Sequence, residues 1–264
     1  MTKSQVIAAD VGNTTINLAI QLGDVFHSHA VRIEGTDWPH QVIAWAESLI
    51  GDIPATWRVA SVQPEASSEL IQMLETRRPD STTCLLTWRD VPMKALVDEP
   101  DRLGIDRLLC AYGASRLAAK PMVVVDAGSA ITVDCVSDAG EFVGGAILPG
   151  LQMQLRSLAC STAALPAIQW QTTKIEQPAK NTEEAMLGGV LAGIAGGIDR
   201  LIDNYRDFSG LTDDAIRVVL TGGDGSAISQ HLLHNHEQHR DLVCRAVLDL
   251  PRSKRSREHG PPTD

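Results

Sequence analysis

A motif that occurs twice constrains the fold of this chain more than any other feature. The first copy, VIAADVGNTTINLAI, spans residues 6–20, and the second, MVVVDAGSAITVDCV, spans residues 122–136. In each copy an apolar run ends in Asp-x-Gly and a small polar residue, and a second β-prone run follows. This pattern predicts one β-hairpin used in two related halves. Two carboxylates beside glycine turns suit a site that holds a metal-bound polyphosphate between two lobes.

Composition and charge are typical of a soluble globular protein. The chain has 264 residues, 44% of them hydrophobic and 21% charged, which allows one large or two modest domains. Its 33 acidic and 23 basic side chains give a net charge of −10, which argues against nucleic acid or an anionic membrane as the main partner. No apolar run approaches membrane-spanning length and no long apolar signal region begins the chain, so we expect a cytoplasmic protein.

Neither the cysteines nor the histidines favour a metal centre. The five cysteines are scattered without a CxxC pair, which indicates small core residues in a reducing compartment (Cys84, Cys110, Cys135, Cys160 and Cys244). Four histidines crowd one short segment (His231, His234, His236 and His239). Their spacing does not keep all four on one helix face, so we expect a solvated surface helix rather than a metal site.

The predicted elements repeat in order between the two halves. In the first half the patterns predict strands at 6–9, 16–20, 25–32, 57–62 and 84–87, and helices at 39–49, 65–77 and 104–119. In the second half they predict strands at 122–125, 131–137, 142–147 and 218–220, and helices at 151–158 and 182–205. This order indicates an α/β fold with mixed sheets. We expect an N-terminal lobe over 1–119, a C-terminal lobe over 120–250 and a disordered tail over 251–264.

The turn of the first hairpin carries groups that suit a phosphate. Gly12 can adopt a positive φ and lets a ligand approach the backbone, while the turn N–H groups and the side chains of Asn13 and Thr14 form an anion cradle. Asp10, at the strand end, is placed to bind Mg²⁺ directly or through water. The alternative is a plain hairpin with Asp and Asn as turn formers, which a single copy would favour. The second copy reverses that preference.

The second hairpin is expected to act in the same way from the other lobe. Asp126 and Gly128 match Asp10 and Gly12, and Ser129 and Thr132 supply hydroxyl groups; turn formation is again the alternative. The segment 221–224, TGGD, suits a close backbone contact with a nucleotide, but an ordinary loop fits a double glycine after a strand equally well.

A third candidate lies between the hairpins, in the segment 104–107 with the sequence GIDR. At a helix start, Asp106 offers an acceptor for a hydroxyl proton, and Arg107 offers a bidentate clamp for a carboxylate or phosphate. The alternative is an Asp favoured by the helix N-terminus with an incidental Arg beside it. Taken alone, this segment would favour the alternative.

Taken in order, these motifs resemble the type III pantothenate kinase family over nearly the whole chain, up to about Leu250. The matching segments are DVGNT at Asp10, LGIDR at Leu103, VVDAGSAIT at Val124, GGAILPGL at Gly144, STAALP at Ser161, NTEEAM at Asn181 and LTGGD at Leu220. Each motif alone is modest support. Seven of them in order with the right spacing make the resemblance specific.

The resemblance implies the fold of the acetate and sugar kinase, heat-shock ATPase and actin superfamily: an α/β fold with two ribonuclease-H-like lobes, each with a mixed sheet, around a nucleotide cleft. It implies ATP-dependent phosphorylation of pantothenate to 4′-phosphopantothenate, the first step of coenzyme A biosynthesis. It also implies a homodimer with the active site near the interface, a magnesium ion, and K⁺ or NH₄⁺.

The resemblance further implies a role for each matching position. Asp106 would accept the proton of the pantothenate hydroxyl, Asp10 would bind Mg²⁺, and Asp126 would bind the monovalent cation. ATP would be bound by Asp10, Val11, Gly12, Asn13, Thr14, Thr15, Ile16, Asn17 and Ser129. Pantothenate would be bound by Val97, Gly104, Ile105, Asp106, Arg107 and Thr182, the last from the partner subunit.

Two positions depart from the family pattern, and two other functions stay open. Ser129 stands where the family has Thr, which keeps the hydroxyl, and Val97 stands where many members have a substrate-contacting Tyr, which loses a hydroxyl and an aromatic surface. One competing function is a kinase of the same superfamily that acts on another small hydroxy or acyl substrate. The other is a non-catalytic accessory factor in regulation, which the presence of Asp10, Asp106 and Asp126 disfavours.

Overall fold

The computed structural model describes residues 5–117, 121–171, 178–209 and 216–251. The first half contains β1 (Gln5–Val11), β2 (Thr15–Leu22), β3 (Val25–Arg32), α1 (Trp38–Ile50), β4 (Ala55–Ser61), α2 (Pro64–Arg77), β5 (Thr82–Leu85), two short 3₁₀ helices (Trp88–Asp90 and Pro100–Arg102) and α3 (Ile105–Ser115). The second half contains β6 (Met122–Ala127), β7 (Ala130–Val136), β8 (Phe142–Pro149), α4 (Leu151–Ser161), α5 (Thr182–Ser209), β9 (Arg217–Thr221), α6 (Gly225–Ser229), β10 (Glu237–Gln238) and α7 (Leu242–Asp249).

The two halves build five-stranded sheets with the same topology. The strand orders are β3-β2-β1-β4-β5 and β10-β9-β6-β7-β8. In each sheet the central strand pairs antiparallel with its hairpin partner on one side and parallel with a later strand on the other, as β1 does with β2 and β4, and β6 with β7 and β9. The predicted α/β fold with two mixed sheets is confirmed, and the repeated motif marks the centre of each sheet.

Alternation along the central strands places helices on both faces of each sheet. In β1, Ile7 and Ala9 pack in a core with α1 and α2, whereas Ala8 belongs to the core that contains α3 and α7. In β6, Val123 packs with α4 and α5, whereas Val124 again faces α3 and α7. Helices α3 and α7 therefore lie between the two sheets.

Helix α7, which the sequence patterns did not predict, connects the two halves. It packs on α3, β1 and β2. The buried Arg58 of β4 donates hydrogen bonds to three carbonyl oxygens at the end of α7, those of Val247 (2.9 Å), Leu250 (2.7 Å) and Pro251 (3.1 Å). This guanidinium satisfies carbonyl groups that a helix C-terminus leaves without partners. The division into lobes at residue 120 stays a prediction.

Three other expectations need comment. The histidine segment 231–239 was expected to be a surface helix, which is wrong: it forms turns and β10, with His236 bonded to Ser229 and His234 paired with Asp203. By length and composition α5 could cross a membrane, contrary to expectation, but more than half of its apolar stretch is buried, as in a core helix. The end of the predicted helix at 118–119 and the tail from 252 lie outside the described residues.

Candidate active site

Three predicted aspartates come together between the sheets, each placed by a different element. Asp10 lies near the carboxyl end of β1 and Asp126 near that of β6, while Asp106 is in the first turn of α3. Burial raises the pKa of Asp10 and of Asp126 to about 7. Nearby carboxylates add to the shift: Asp106 acts on Asp10, and both Asp10 and Asp106 act on Asp126. The two hairpins and the start of α3 therefore form one acidic cleft.

Asp10 is oriented by the strand opposite. The antiparallel register pairs Asp10 with Asn17, and Asn17 Nδ2 donates to Asp10 Oδ2 at 3.2 Å. This bond lowers the pKa of Asp10 less than burial raises it. The carboxylate thus has a fixed direction and an unbalanced negative charge when ionised, which suits a hard cation with strict ligand geometry.

Asp126 has no such partner in the part of the chain that the structure describes. The register places Thr132 opposite, but the Thr132 side chain bonds to Asp134 instead. Neither Asp10 nor Asp126 forms an ion pair with any described residue. Since buried carboxylates without a cationic partner are costly, oxygen ligands of this kind fit a cation, either Mg²⁺ or a monovalent ion.

Asp106 is shaped to accept a proton. Its Oδ1 accepts a hydrogen bond from the backbone N–H of Arg107 at 2.8 Å, at the N-terminus of α3. Burial raises the pKa of Asp106 by more than the backbone bond and the charge of Arg107 lower it. Gly104 leaves space for this carboxylate, because a Cβ there would lie 2.5 Å from Asp106 Oδ1. A carboxylate with a raised pKa is a better general base.

Arg107 is held by a residue that the sequence reasoning missed. Its Nε donates to both carboxylate oxygens of Asp134 (3.1 and 3.3 Å), and its Nη2 donates to Oδ1. The Asp134 side chain is only 2% exposed. A charged residue in the apolar run of β7 was the available signal, because such a residue needs a buried partner.

The two hairpin turns meet across the cleft, where the hydroxyl groups of Thr14 and Ser129 are 2.6 Å apart. Asn13 and Thr14 are exposed and Thr15 is half-buried, as a phosphate contact requires. Val11 and Ile16, in contrast, are fully buried in the core with α1 and α2, so only their backbones can reach a ligand in the cleft.

Gly12 does not have a positive φ, so that prediction is wrong. Near the cleft, a positive φ of 93° occurs instead at Gly222, in the segment 221–224. A Cβ on Gly222 would lie 2.3 Å from the carbonyl oxygen of Ala127, next to Asp126. This position therefore requires glycine, and it lines a cavity of about 310 Å³ between the two hairpins.

The same cavity is lined by Asp10, Asn17, Asp126 and a segment that the sequence reasoning did not assign, residues 240–244. Asp241 has a positive φ of 56° and accepts a hydrogen bond from Ser28 at 2.9 Å. Cys244 donates to the carbonyl oxygen of Asn17 at 3.3 Å. The start of α7 thus closes the cleft against β2.

Comparisons with known proteins identify the family of this chain. The family model for type III pantothenate kinase matches residues 6–204. The chain is 34% identical to a type III pantothenate kinase of Rhodopirellula baltica, an alignment that covers 92% of this chain and 97% of the relative. It is 32% identical to one of Dechloromonas aromatica over 93% and 98%. The chain belongs to the type III pantothenate kinase family.

Solved structures support the fold of this family member. A protein from Campylobacter jejuni, described as a conserved putative Baf family transcriptional activator, is 21% identical with a TM-score of 0.58 and covers 92% of this chain and 95% of that chain. A propionate kinase from Francisella tularensis is 10% identical with a TM-score of 0.52 over 94% and 100%. At these identities both comparisons concern the fold alone: the expected α/β fold with two mixed sheets is one that this chain shares with a propionate kinase.

The remaining positions expected from the family are not all in this cleft. Val97 is half-buried and packs on the core between the sheets, close in sequence to the α3 start, while the Ile105 side chain belongs to that core. Thr182 is exposed at the start of α5 and lines a different cavity of about 860 Å³ with Asn181 and Glu183. Within one chain, Thr182 is therefore not part of the acidic cleft.

Proposed function

We propose that this protein transfers the γ-phosphoryl group of ATP to the primary hydroxyl of pantothenate, with Asp106 as the proton acceptor. The observation that carries the proposal is the position of Asp106, a carboxylate with a raised pKa at a helix start. It lies between two hairpins that have hydroxyl groups in their turns and aspartates at their strand ends. Phosphoryl transfer depends mostly on positioning and charge neutralisation, and this cleft offers both. The product, 4′-phosphopantothenate, enters coenzyme A biosynthesis.

The two hairpin turns form the nucleotide side of the site. The backbone of Gly12 and Asn13 and the hydroxyls of Thr14 and Ser129 would contact the phosphates, and Asp10, oriented by Asn17, would hold the magnesium. When bound, Mg²⁺ neutralises the charge of the phosphate oxygens. Gly222 keeps the backbone after β9 close to Asp126 and open to the nucleotide.

Asp106 and Arg107 form the substrate side. Asp106 takes the proton of the attacking hydroxyl, for which its raised pKa is favourable. Arg107, one residue on in α3, binds the carboxylate of pantothenate. Gly104 leaves room for the Asp106 carboxylate, and Val97 is assigned to the substrate side from the family pattern alone.

Asp126 is the ligand of a monovalent cation, K⁺ or NH₄⁺. Its raised pKa and its lack of a hydrogen-bond partner in the described ranges support this role. The protein acts as a cytoplasmic homodimer, in which Thr182 of each chain reaches the partner's substrate. The support for this step is that Thr182 is exposed and away from its own chain's cleft.

A coupled assay of ADP release with pantothenate and ATP, first with K⁺ and then with Na⁺, tests substrate, activity and cation together. The matched variants are Asp106→Asn and Asp101→Asn, the second on the exposed neighbouring 3₁₀ helix. We expect Asp106→Asn to lower kcat by about 100- to 10,000-fold with ATP binding retained. Asp101→Asn should behave like the wild type.

The outcomes separate the competing functions. Turnover with a sugar or an acyl acid but not with pantothenate would assign another kinase activity of the superfamily. Binding of ATP without turnover of any of these substrates would assign a non-catalytic role. Near wild-type turnover of Asp106→Asn would show that the proton acceptor is a different group.

A further inference from the structure

The guanidinium group of Arg107 is enclosed on one edge and one face. Asp134 of β7 takes the Nε and Nη2 edge with both carboxylate oxygens. The ring of Phe142, at the start of β8, lies 5.6 Å from Cζ in a cation–π arrangement. Nη1 forms no hydrogen bond within the described residues, and the Arg107 side chain keeps 16% of its exposure. Nη1, with its two N–H donors, is therefore left for a ligand.

Neighbouring residues of the sheet hold the Asp134 carboxylate in position for this contact. Thr132, two residues earlier on the same strand, donates to its carboxylate. The paired residue on β8 is Gly145, where a Cβ would lie 2.2 Å from Asp134 Oδ1. Any side chain at 145 would thus displace the carboxylate. Burial raises the pKa of Asp134, and the bonds from Arg107 and Thr132 oppose that shift.

Burying an ion pair between a helix and a sheet has a high desolvation cost. An apolar pair of similar size would stabilise the same contact at least as well. The orientation of the ion pair gives a reason for its burial. With Nε and Nη2 fixed by Asp134, Arg107 cannot swing toward Asp106, its neighbour on α3, and cannot follow the substrate as a flexible cation would.

We propose that Asp134 is a positioning residue of the substrate site, which fixes Arg107 so that the Nη1 group of Arg107 binds the carboxylate of the acceptor alcohol. The proposal deepens the proposed function and rests on it. It identifies Asp134 as a determinant of specificity for acceptors that carry a carboxylate, and it assigns no contact between Asp134 and the substrate itself.

The test compares pantothenate with pantothenol, in which a hydroxymethyl group replaces the carboxylate. We expect Asp134→Asn to lower kcat/KM for pantothenate by about 10- to 100-fold, mainly through KM, because a charge-assisted contact is weakened. The KM for ATP and the turnover of pantothenol should change by less than about threefold. Asp134→Glu, which keeps the charge, should recover part of the loss.

A double-mutant cycle with Arg107→Gln shows whether Asp134 acts through Arg107. In the Arg107→Gln background, Asp134→Asn should have no further effect on the preference for pantothenate over pantothenol. If Asp134→Asn alone does not fold, the comparison of Arg107→Gln with the double variant still shows whether Asp134 affects the preference for pantothenate when Arg107 is absent. The control is Glu141→Gln, which removes a carboxylate from the more exposed pair with Lys94, just before β8.

Equal losses for the two acceptors, or additive losses in the cycle, would overturn the proposal and leave Asp134 as a structural ion-pair partner. A wild-type protein that does not phosphorylate pantothenate would instead overturn the proposed function, and that result is visible before any variant is made.

Discussion

The two hairpins share their strand pairing, but they differ by one residue in the length of the turn and in the side chain opposite the aspartate. In the first, Val62 N–H donates to Val11 and Ile33 N–H donates to Thr14. In the second, the equivalent bonds run from Asp224 to Ala127 and from Gly150 to Ser129. Opposite Asp10 stands Asn17, whose amide bonds to it, whereas Thr132, opposite Asp126, bonds to Asp134. The shared strand pairing places both carboxylates, and the facing residue gives a side-chain hydrogen bond to Asp10 but not to Asp126.

This difference has a chemical consequence. Mg²⁺ demands near-ideal octahedral geometry, so a carboxylate held by Asn17 is the better ligand for it. A larger monovalent cation tolerates a less strictly directed ligand, which fits Asp126. If Asp10 binds the magnesium and Asp126 the monovalent cation, as proposed, the residue that faces each aspartate is what divides the two roles.

The largest expected effect comes from removing each carboxylate in turn. Asp10→Asn should lower kcat by roughly 100-fold or more at saturating ATP, because several kcal/mol of charge stabilisation are lost. Asp126→Asn should instead weaken or abolish the stimulation by K⁺. Titrations of activity with Mg²⁺ and with K⁺ measure both effects.

Matched controls lie in the exposed turns that follow each hairpin, Asp24→Asn after β2 and Asp138→Asn after β7. Both should leave the two titrations unchanged. If Asp10→Asn and Asp126→Asn shift the same cation titration, the two hairpins share one role and the comparison fails.

The second prediction concerns a further place where the backbones differ, the loop that follows the parallel neighbour of each hairpin. After β4 the chain continues through Val62, but after β9 it passes Ala127 at Gly222, with a positive φ. Gly222→Ala should therefore destabilise the protein by about 3 kcal/mol, from strain and the clash with Ala127. Gly223→Ala is the control, because nothing lies within 4 Å of a Cβ there. Urea unfolding of the two variants measures the difference in their stability, and equal stability would contradict the prediction.

Most of the fold could be predicted from the sequence, because the hairpins and long helices have clear periodicity. The repeated run around Asp10 and Asp126 predicted the central hairpin of each sheet, and the structure has both. The amphipathic patterns of α1, α2, α3 and α5 gave helices of nearly the observed extent.

The short elements could not be predicted, because tertiary contacts create them. Helix α7 has eight residues, and Arg58, almost two hundred residues earlier, bonds the carbonyl groups at its end. The segment 231–239 has no regular period, and Asp199 of α5 fixes it through the backbone N–H groups of Leu233 and His234. Of the site, the sequence named the three cleft aspartates but missed Asp134, whose importance depends on Arg107 from another element.

The third prediction uses what the two hairpins have in common, the raised pKa of both aspartates. Because the folded-state pKa is about 7 for both aspartates, against 3.8 for an ordinary aspartate, the folded protein binds more protons between these pH values than the unfolded chain. These groups therefore stabilise the fold fully only at low pH, and that stability is lost as the pH rises through 7.

Without metal ions, we expect Tm to fall by several degrees from about pH 5 to about pH 8, since each kcal/mol corresponds to about 2–4 °C for a protein of this size. Mg²⁺ and K⁺ should restore Tm at the higher pH. The Tm of the double variant Asp10→Asn/Asp126→Asn, measured by calorimetry, should depend less on pH. An unchanged slope would mean that other groups control the pH dependence.

The smallest effect tests the comparison most directly, by making the first hairpin like the second. Asn17→Thr removes the amide that orients Asp10, a hydrogen bond worth about 1.5–3 kcal/mol when its acceptor is charged, of which a cation would compensate a part. We expect the Mg²⁺ concentration for half-maximal activity to rise about fivefold, with the K⁺ titration unchanged. Since the same bond lowers the pKa of Asp10, the variant should also lose Mg²⁺ activation at a higher pH than the wild type. Gln21→Thr, an amide replaced on the same strand away from the cleft, is the control. A Mg²⁺ titration that does not move in Asn17→Thr would mean that the facing residue does not separate the two hairpins.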